Sequence, residues 1–150
     1  MINGVIVNDL EKYEDNRGYL MEIYRRDEVD SGVAMAYLSV TLPGIVRGPH
    51  EHVYQTDYFI FPGSGDFMLY LWDKREGSST FGHSIEMIVG ESNPCTVVVP
   101  PGVVHGYKCV SAHPATSINF PDKLYKGVAK KEEIDEIRWE KDETSPYKIA

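Results

Sequence analysis

Between Gln55 and Phe120 the chain repeats one pattern: a short run rich in Val, Ile, Tyr and Phe, then a break at Gly, Pro, Asn or Ser. Gln55 to Phe61 breaks at Pro62-Gly-Ser-Gly65, and Asp66 to Asp73 breaks at Lys74 to Ser79. His83 to Val89 breaks at Gly90 to Pro94, and Cys95 to Val99 breaks at Pro100-Pro-Gly102. Val103 to Val110 and Ala115 to Phe120 complete the series. Helical period is nearly absent. β-Branched and aromatic side chains suit a pleated, half-buried surface, whereas Gly and Pro end a strand abruptly. Units of this kind bury their apolar faces only as packed sheets or a closed barrel. The expected fold class is therefore all-β, an antiparallel double-stranded jelly-roll barrel.

Ahead of this series, Ile2 to Val7 reads as a short strand, Tyr19 to Tyr24 as a second and Ala34 to Leu42 as a third, stopped by Pro43-Gly44. Leu20 and Glu22 fall on one face of the second, so a half-buried carboxylate is expected there. Arg25 to Gly32 reads as a loop or one helical turn. Beyond Pro121 the character changes: Asp122 to Lys131 is a loop or weak helix, Ile134 to Trp139 a short strand, and residues 140–150 a loosely packed C-terminal tail. At 150 residues the chain is expected to form a single domain, 1–150, burying roughly 70% of the surface its unfolded form exposes.

The balance of charge excludes some partners. A net charge of −8 disfavours a nucleic-acid backbone, and no stretch approaches the ~18 apolar residues of a membrane span. The first residues lack the basic start and apolar run of a signal peptide. Cys95 and Cys109 sit in apolar runs without zinc-site or CxxC spacing, as small buried thiols of a reducing compartment do. A cytoplasmic protein with no nucleic-acid or membrane partner is expected.

Chemistry concentrates in two segments. His50 and His52 stand two apart after Gly44-Ile-Val-Arg47-Gly-Pro, so on one strand they project to the same side, with Gln55 and Asp57 following. His105 follows Pro100-Pro-Gly102 on a later strand and can join them. A single strand histidine is usually just hydrogen-bonded, but three beside a carboxylate can serve as a base, as donors or as ligands of iron, manganese or nickel. His83 and His113 fall in turns and are expected to be solvated.

These segments fit the cupin pattern through Gly44, His50, His52, Asp57 and a glycine at 63 or 65, then Pro100, Gly102 and His105. Further motifs narrow the resemblance. Asp15-x-Arg17-Gly-x-Leu-x-Glu22, Arg47-Gly-Pro-His50 and Asp73-Lys-Arg75-Glu-Gly-Ser78-Ser-Thr80-Phe-Gly82 resemble, in order and spacing, motifs of the dTDP-4-dehydrorhamnose 3,5-epimerase family. Ile137-Arg-Trp139 resembles a motif near that family's C-terminal region. The resemblance implies a homodimer without metal or other cofactor, exchanging N-terminal strand residues between subunits. It implies a nucleotide-sugar substrate of the dTDP-4-keto-6-deoxyhexose type, epimerised or isomerised by proton transfer alpha to a ketone, in deoxysugar or cell-surface polysaccharide biosynthesis. His50 would be the base and His105 a second catalytic donor, with Arg17, Glu22, Arg47, Gln55, His52 and Asp57 binding substrate. Arg75 is a further candidate for the diphosphate.

The chain also departs from that pattern. The family's tyrosine acid falls at Ala115 and its later tyrosines at Phe120 and Pro121. Asp57 replaces a lysine, and His52 follows the base as in the related sugar 3,4-ketoisomerases. The aspartate that holds the base in longer members has no evident counterpart. The expectation is an isomerase that inverts at most one stereocentre or shifts a keto group. Two alternatives are a non-catalytic cupin that binds a sugar or nucleotide sugar, and a metal-dependent cupin enzyme.

Overall fold

The structure, a computed structural model, describes residues 1–29 and 32–150. The strands are β1 (Ile6–Asp9), β2 (Tyr13–Asp15), β3 (Gly18–Leu20), β4 (Tyr37–Thr41), β5 (Val46–Glu51), β6 (Asp57–Phe61), β7 (Asp66–Asp73), β8 (Ser84–Gly90), β9 (Cys95–Val99), β10 (Val103–Cys109), β11 (Ala115–Asn119) and β12 (Ile137–Arg138). They pair antiparallel into two five-stranded sheets, β1-β9-β6-β11-β4 and β12-β5-β10-β7-β8, with β2–β3 as a separate hairpin. This is the expected jelly roll. The expected loop Arg25 to Gly32 includes Asp30 and Ser31, which lie outside the described residues. Among the described residues no helix is long and apolar enough to cross a membrane.

The core lies between the sheets. On β7, Phe67, Leu69 and Leu71 point inward while Met68, Tyr70 and Trp72 point out, as the two-residue period of a strand requires. Phe61, Val97, Val103 and Tyr107 meet them, and each such burial contributes roughly 1.5–3 kcal/mol. Strands β6 and β9 are buried throughout because both faces are covered. Their outer face carries Tyr58, Ile60 and Val98, and these pack against Leu10, Ile23, Tyr24, Val29 and Phe120.

Three details bear on the expected site residues. Strand β3 ends at Leu20, so the alternation that was to bury Glu22 stops before reaching it. Glu22 is instead 50% exposed and faces Arg25. Arg75 is committed to a turn: its guanidinium bonds Asp73 and the Asn3 carbonyl, while Ser78 and Thr80 hydroxyls donate to the same Asp73 carboxylate. That network, rather than a phosphate, accounts for the spacing of Asp73, Arg75, Ser78 and Thr80. Most of the 140–150 tail is exposed, but Ser145 is buried and the Tyr147 ring packs against Trp72 and Trp139.

Candidate active site

Register across the second sheet sets His105 on β10 directly opposite His50 on β5. The backbone approach there is close: a Cβ on Gly48, whose φ is +83°, would lie 2.8 Å from the His105 carbonyl oxygen. Only glycine fits that contact and that dihedral together. Beyond it, alternation turns His50 and His52 inward and Glu51 outward. Glu51 is buried on the other face, 2.7 Å from Lys74 Nζ and within hydrogen-bond reach of Trp139 Nε1. The three histidine rings gather, with centroids 4.5 Å apart for His50 and His105 and 5.5 Å for His50 and His52.

Asp57, from the first sheet, anchors the cluster. Its Oδ1 accepts from Gln55 Nε2 and Asn119 Nδ2, both at 2.8 Å, and its Oδ2 lies 3.3 Å from His52 Nε2 and 3.2 Å from His105 Nε2. The contact with His105 is close but out of hydrogen-bond line, leaving both buried atoms without a bonded partner. His105 Nδ1 donates to the Val103 carbonyl and His52 Nδ1 to the Asp135 carbonyl, which directs each Nε2 at the carboxylate. Burial works to raise the Asp57 pKa, but the close approach and charge of His105 and His52 hold it well below the usual carboxylate range. Burial opposes charge on His52, and Asp57 outweighs that cost and raises its pKa. His50 goes the other way. Burial, followed by the neighbouring His105 and His52, lowers it to about 2, so it is a neutral imidazole at physiological pH.

Two adjoining cavities open on this cluster. The larger, about 730 Å³, is lined by His50, His52, Gln55 and Tyr37 and roofed by the segment from Pro121 to Glu136. The smaller, about 460 Å³, is lined by His50, Tyr37 and Arg47, whose guanidinium is pinned by Thr41 Oγ1 and the Val40 carbonyl. Thus His50, His52, Gln55 and Arg47 meet at the cavities as expected. Asp57 and His105 line neither cavity; they are buried behind the wall, where they position and polarise the other imidazoles rather than reach a ligand. Arg17 and Glu22 do not reach the cavities of their own chain. Arg17 is 86% exposed on the β2–β3 hairpin, paired with Asp15.

Sequence reasoning missed Asp135 and Glu136. The Asp135 carboxylate accepts from the backbone N–H groups of Val53, Tyr54 and Gln55, fixing the turn after His52. Glu136 Oε1 lies 3.8 Å from His50 Nδ1, and Arg138 grips its other oxygen. Strand β12 delivers both residues by pairing with β5, Arg138 opposite His50. A carboxylate beside His50 therefore exists after all. Its only local signal was the short strand expected at Ile134 to Trp139.

The donors of His50, His52, Asp57 and His105 all lie within 4.8 Å of one another, and three imidazoles with one carboxylate chemically fit a divalent transition ion. Such an ion would supply Lewis-acid polarisation of a ketone. The short Asp57 already engages four side chains, and we expect protein purified without added metal to hold well below one equivalent of iron, manganese, nickel or zinc by elemental analysis. A stoichiometric ion would place the chain among metal-dependent cupins.

Two antiparallel five-stranded sheets with a cavity lined by His50 and His52 define a cupin. The sequence matches the family model of dTDP-4-dehydrorhamnose 3,5-epimerase over residues 1–146, and the chain belongs to that family. It is 37% identical over 127 residues to the Probable low-salt glycan biosynthesis epimerase Agl13 of Haloferax volcanii, covering 83% of this chain and 81% of that protein. It is likewise 37% identical over 126 residues to the spore coat polysaccharide biosynthesis protein SpsL of Bacillus subtilis, covering 83% of each. Among solved structures, a dTDP sugar isomerase from Desulfovibrio desulfuricans G20 superposes with a TM-score of 0.85 at 24% identity, over 98% of this chain and 91% of the other. The sugar epimerase or isomerase reading stands over the binding-module and metal-enzyme alternatives.

Proposed function

We propose that the chain removes the proton alpha to the ketone of a nucleotide-linked 4-keto-6-deoxy sugar, with His50 as the base. The observation that carries this reading is the placement of His50: half-buried, on the wall of both cavities and backed by the Glu136 carboxylate. A neutral imidazole takes a C–H proton if the developing enolate oxygen meets fixed donors. Arg47, held on the smaller cavity's wall, supplies a permanent cation there. Lys123, Lys126 and Lys130 border the larger cavity among Glu132 and Glu133, and they suit a diphosphate better than Arg75 does. Relatives named for glycan and spore-coat polysaccharide synthesis support a role in making cell-surface sugars. The test is incubation with dTDP-4-keto-6-deoxyglucose and analysis of the product by NMR. An epimer or a shifted keto group supports the reading; tight binding without turnover would replace it with the binding-module alternative.

A homodimer completes the proposal. Tyr13, Tyr19 and Leu20 stand exposed on the β2–β3 hairpin, and Leu38, Val40 and Leu42 on or beside β4, an edge strand of the first sheet. An open edge flanked by exposed apolar side chains favours pairing with another chain. A partner's hairpin laid along that edge would cover both groups and present Arg17 and Glu22 to the neighbouring cavity. Light scattering at micromolar concentration should report twice the monomer mass, and a monomer would contradict this arrangement.

A further inference from the structure

We propose that Tyr37 is the acid of this site, delivering a proton to the enolate carbon from the wall opposite His50. The inference rests on the function proposed above and extends it. Tyr37 sits on β4 in one sheet and His50 on β5 in the other, yet both line both cavities. A planar enolate between them has the base on one face and the phenol on the other, as inversion at carbon requires. Register pairs Tyr37 with Asn119, whose Nδ2 donates to the phenol oxygen at 2.8 Å and to Asp57 Oδ1 at 2.8 Å. That bond occupies a lone pair of the phenol and leaves its O–H proton for another acceptor. Burial, and then the charge of Asp57, push the Tyr37 pKa up, so the hydroxyl keeps its proton at neutral pH until a strong base forms beside it.

The step balances without an oxidant or metal. His50 takes the proton from the carbon and the electron pair moves into the carbonyl as an enolate. The enolate carbon then takes the Tyr37 proton on its other face. Asn119 Nδ2 stabilises the resulting phenolate, which regains a proton from water as the His50 imidazolium loses one. The family's acid position is Ala115 here, buried at the opposite end of β11 from Asn119. The proton donor has thus moved to a neighbouring strand, and inversion remains open to this chain. Tyr54 and Tyr125 also border the larger cavity but not the smaller one, so they do not face His50 on both sides.

The test is Tyr37→Phe in deuterated water with dTDP-4-keto-6-deoxyglucose, reading deuterium by mass spectrometry and configuration by NMR. Deuterium uptake is expected within about threefold of wild type, because His50 still removes and returns a proton on its own face, while inverted product falls by roughly 10²-fold or more. Calorimetric affinity for dTDP and thermal unfolding should match wild type, separating this outcome from misfolding. Inversion at the wild-type rate, a parallel loss of exchange and inversion, or the same split in Tyr54→Phe or Tyr125→Phe would overturn the assignment of Tyr37 alone. Wild-type protein that neither exchanges nor inverts would remove the proposed function with it.

Discussion

Replacing His50 by Asn lowers kcat by roughly 10²–10⁴ while leaving nucleotide affinity close to wild type. The side chain removed is the neutral imidazole shared by both cavities, whereas Arg47 and the lysine-bearing roof that face the rest of the ligand remain. Because the loss is confined to proton transfer, kcat and kcat/KM should fall together. The same substitution changes the pH dependence of stability. Native His50 is lowered to about 2, so below about pH 6.5 the unfolded chain binds a proton that the native chain refuses, and stability falls with acid. In His50→Asn that slope should flatten between about pH 6.5 and 4, as read from urea denaturation midpoints.

Asp57→Ala destabilises the fold by about 3–5 kcal/mol, because it strands the Gln55 and Asn119 amides without their shared acceptor and removes the buried carboxylate packed against the His52 and His105 imidazoles. At this chain length the loss corresponds to a fall in Tm of roughly 6–20 °C. Signs follow from the direction of each shift. Asp57 is held below its unfolded value, so its contribution is complete above about pH 4 and is lost as pH falls toward the native value. His52 is raised, so its contribution is complete below about pH 6.5 and fades as pH rises through the native value. Wild-type stability from this pair should therefore be level between about pH 4 and 6.5 and fall on either side, and Asp57→Ala should lose both limbs in a calorimetric pH series. An unchanged Tm in Asp57→Ala would show that the cluster does not hold the sheets together.

What the sequence made legible was local. Turn residues and two-residue alternation set the strands from β6 to β11 to within two residues, because each signal lies within a few positions of the strand it bounds. His50 and His52 were found for the same reason: two residues on one strand share a face whatever the rest of the chain does. The placement of Glu136 beside His50 depends on the pairing of a two-residue strand with β5 across a long stretch of chain. Nothing near residue 136 announces that register. The link from Tyr37 through Asn119 to Asp57 likewise exists only once β4 pairs with β11. Glu22 shows the opposite error, an alternation extended past the end of β3, where a hairpin standing off the barrel has no core to face. Arg75 shows a third: the spacing was read correctly, but it serves a turn centred on Asp73.

The central claim is that His50 exchanges the proton next to a sugar ketone. Incubating wild type and His50→Asn with dTDP-4-keto-6-deoxyglucose in deuterated water, and following the sugar's mass over time, tests it directly. The account predicts deuterium at carbon adjacent to the ketone with wild type and none above background with His50→Asn. Exchange by His50→Asn at the wild-type rate would contradict it.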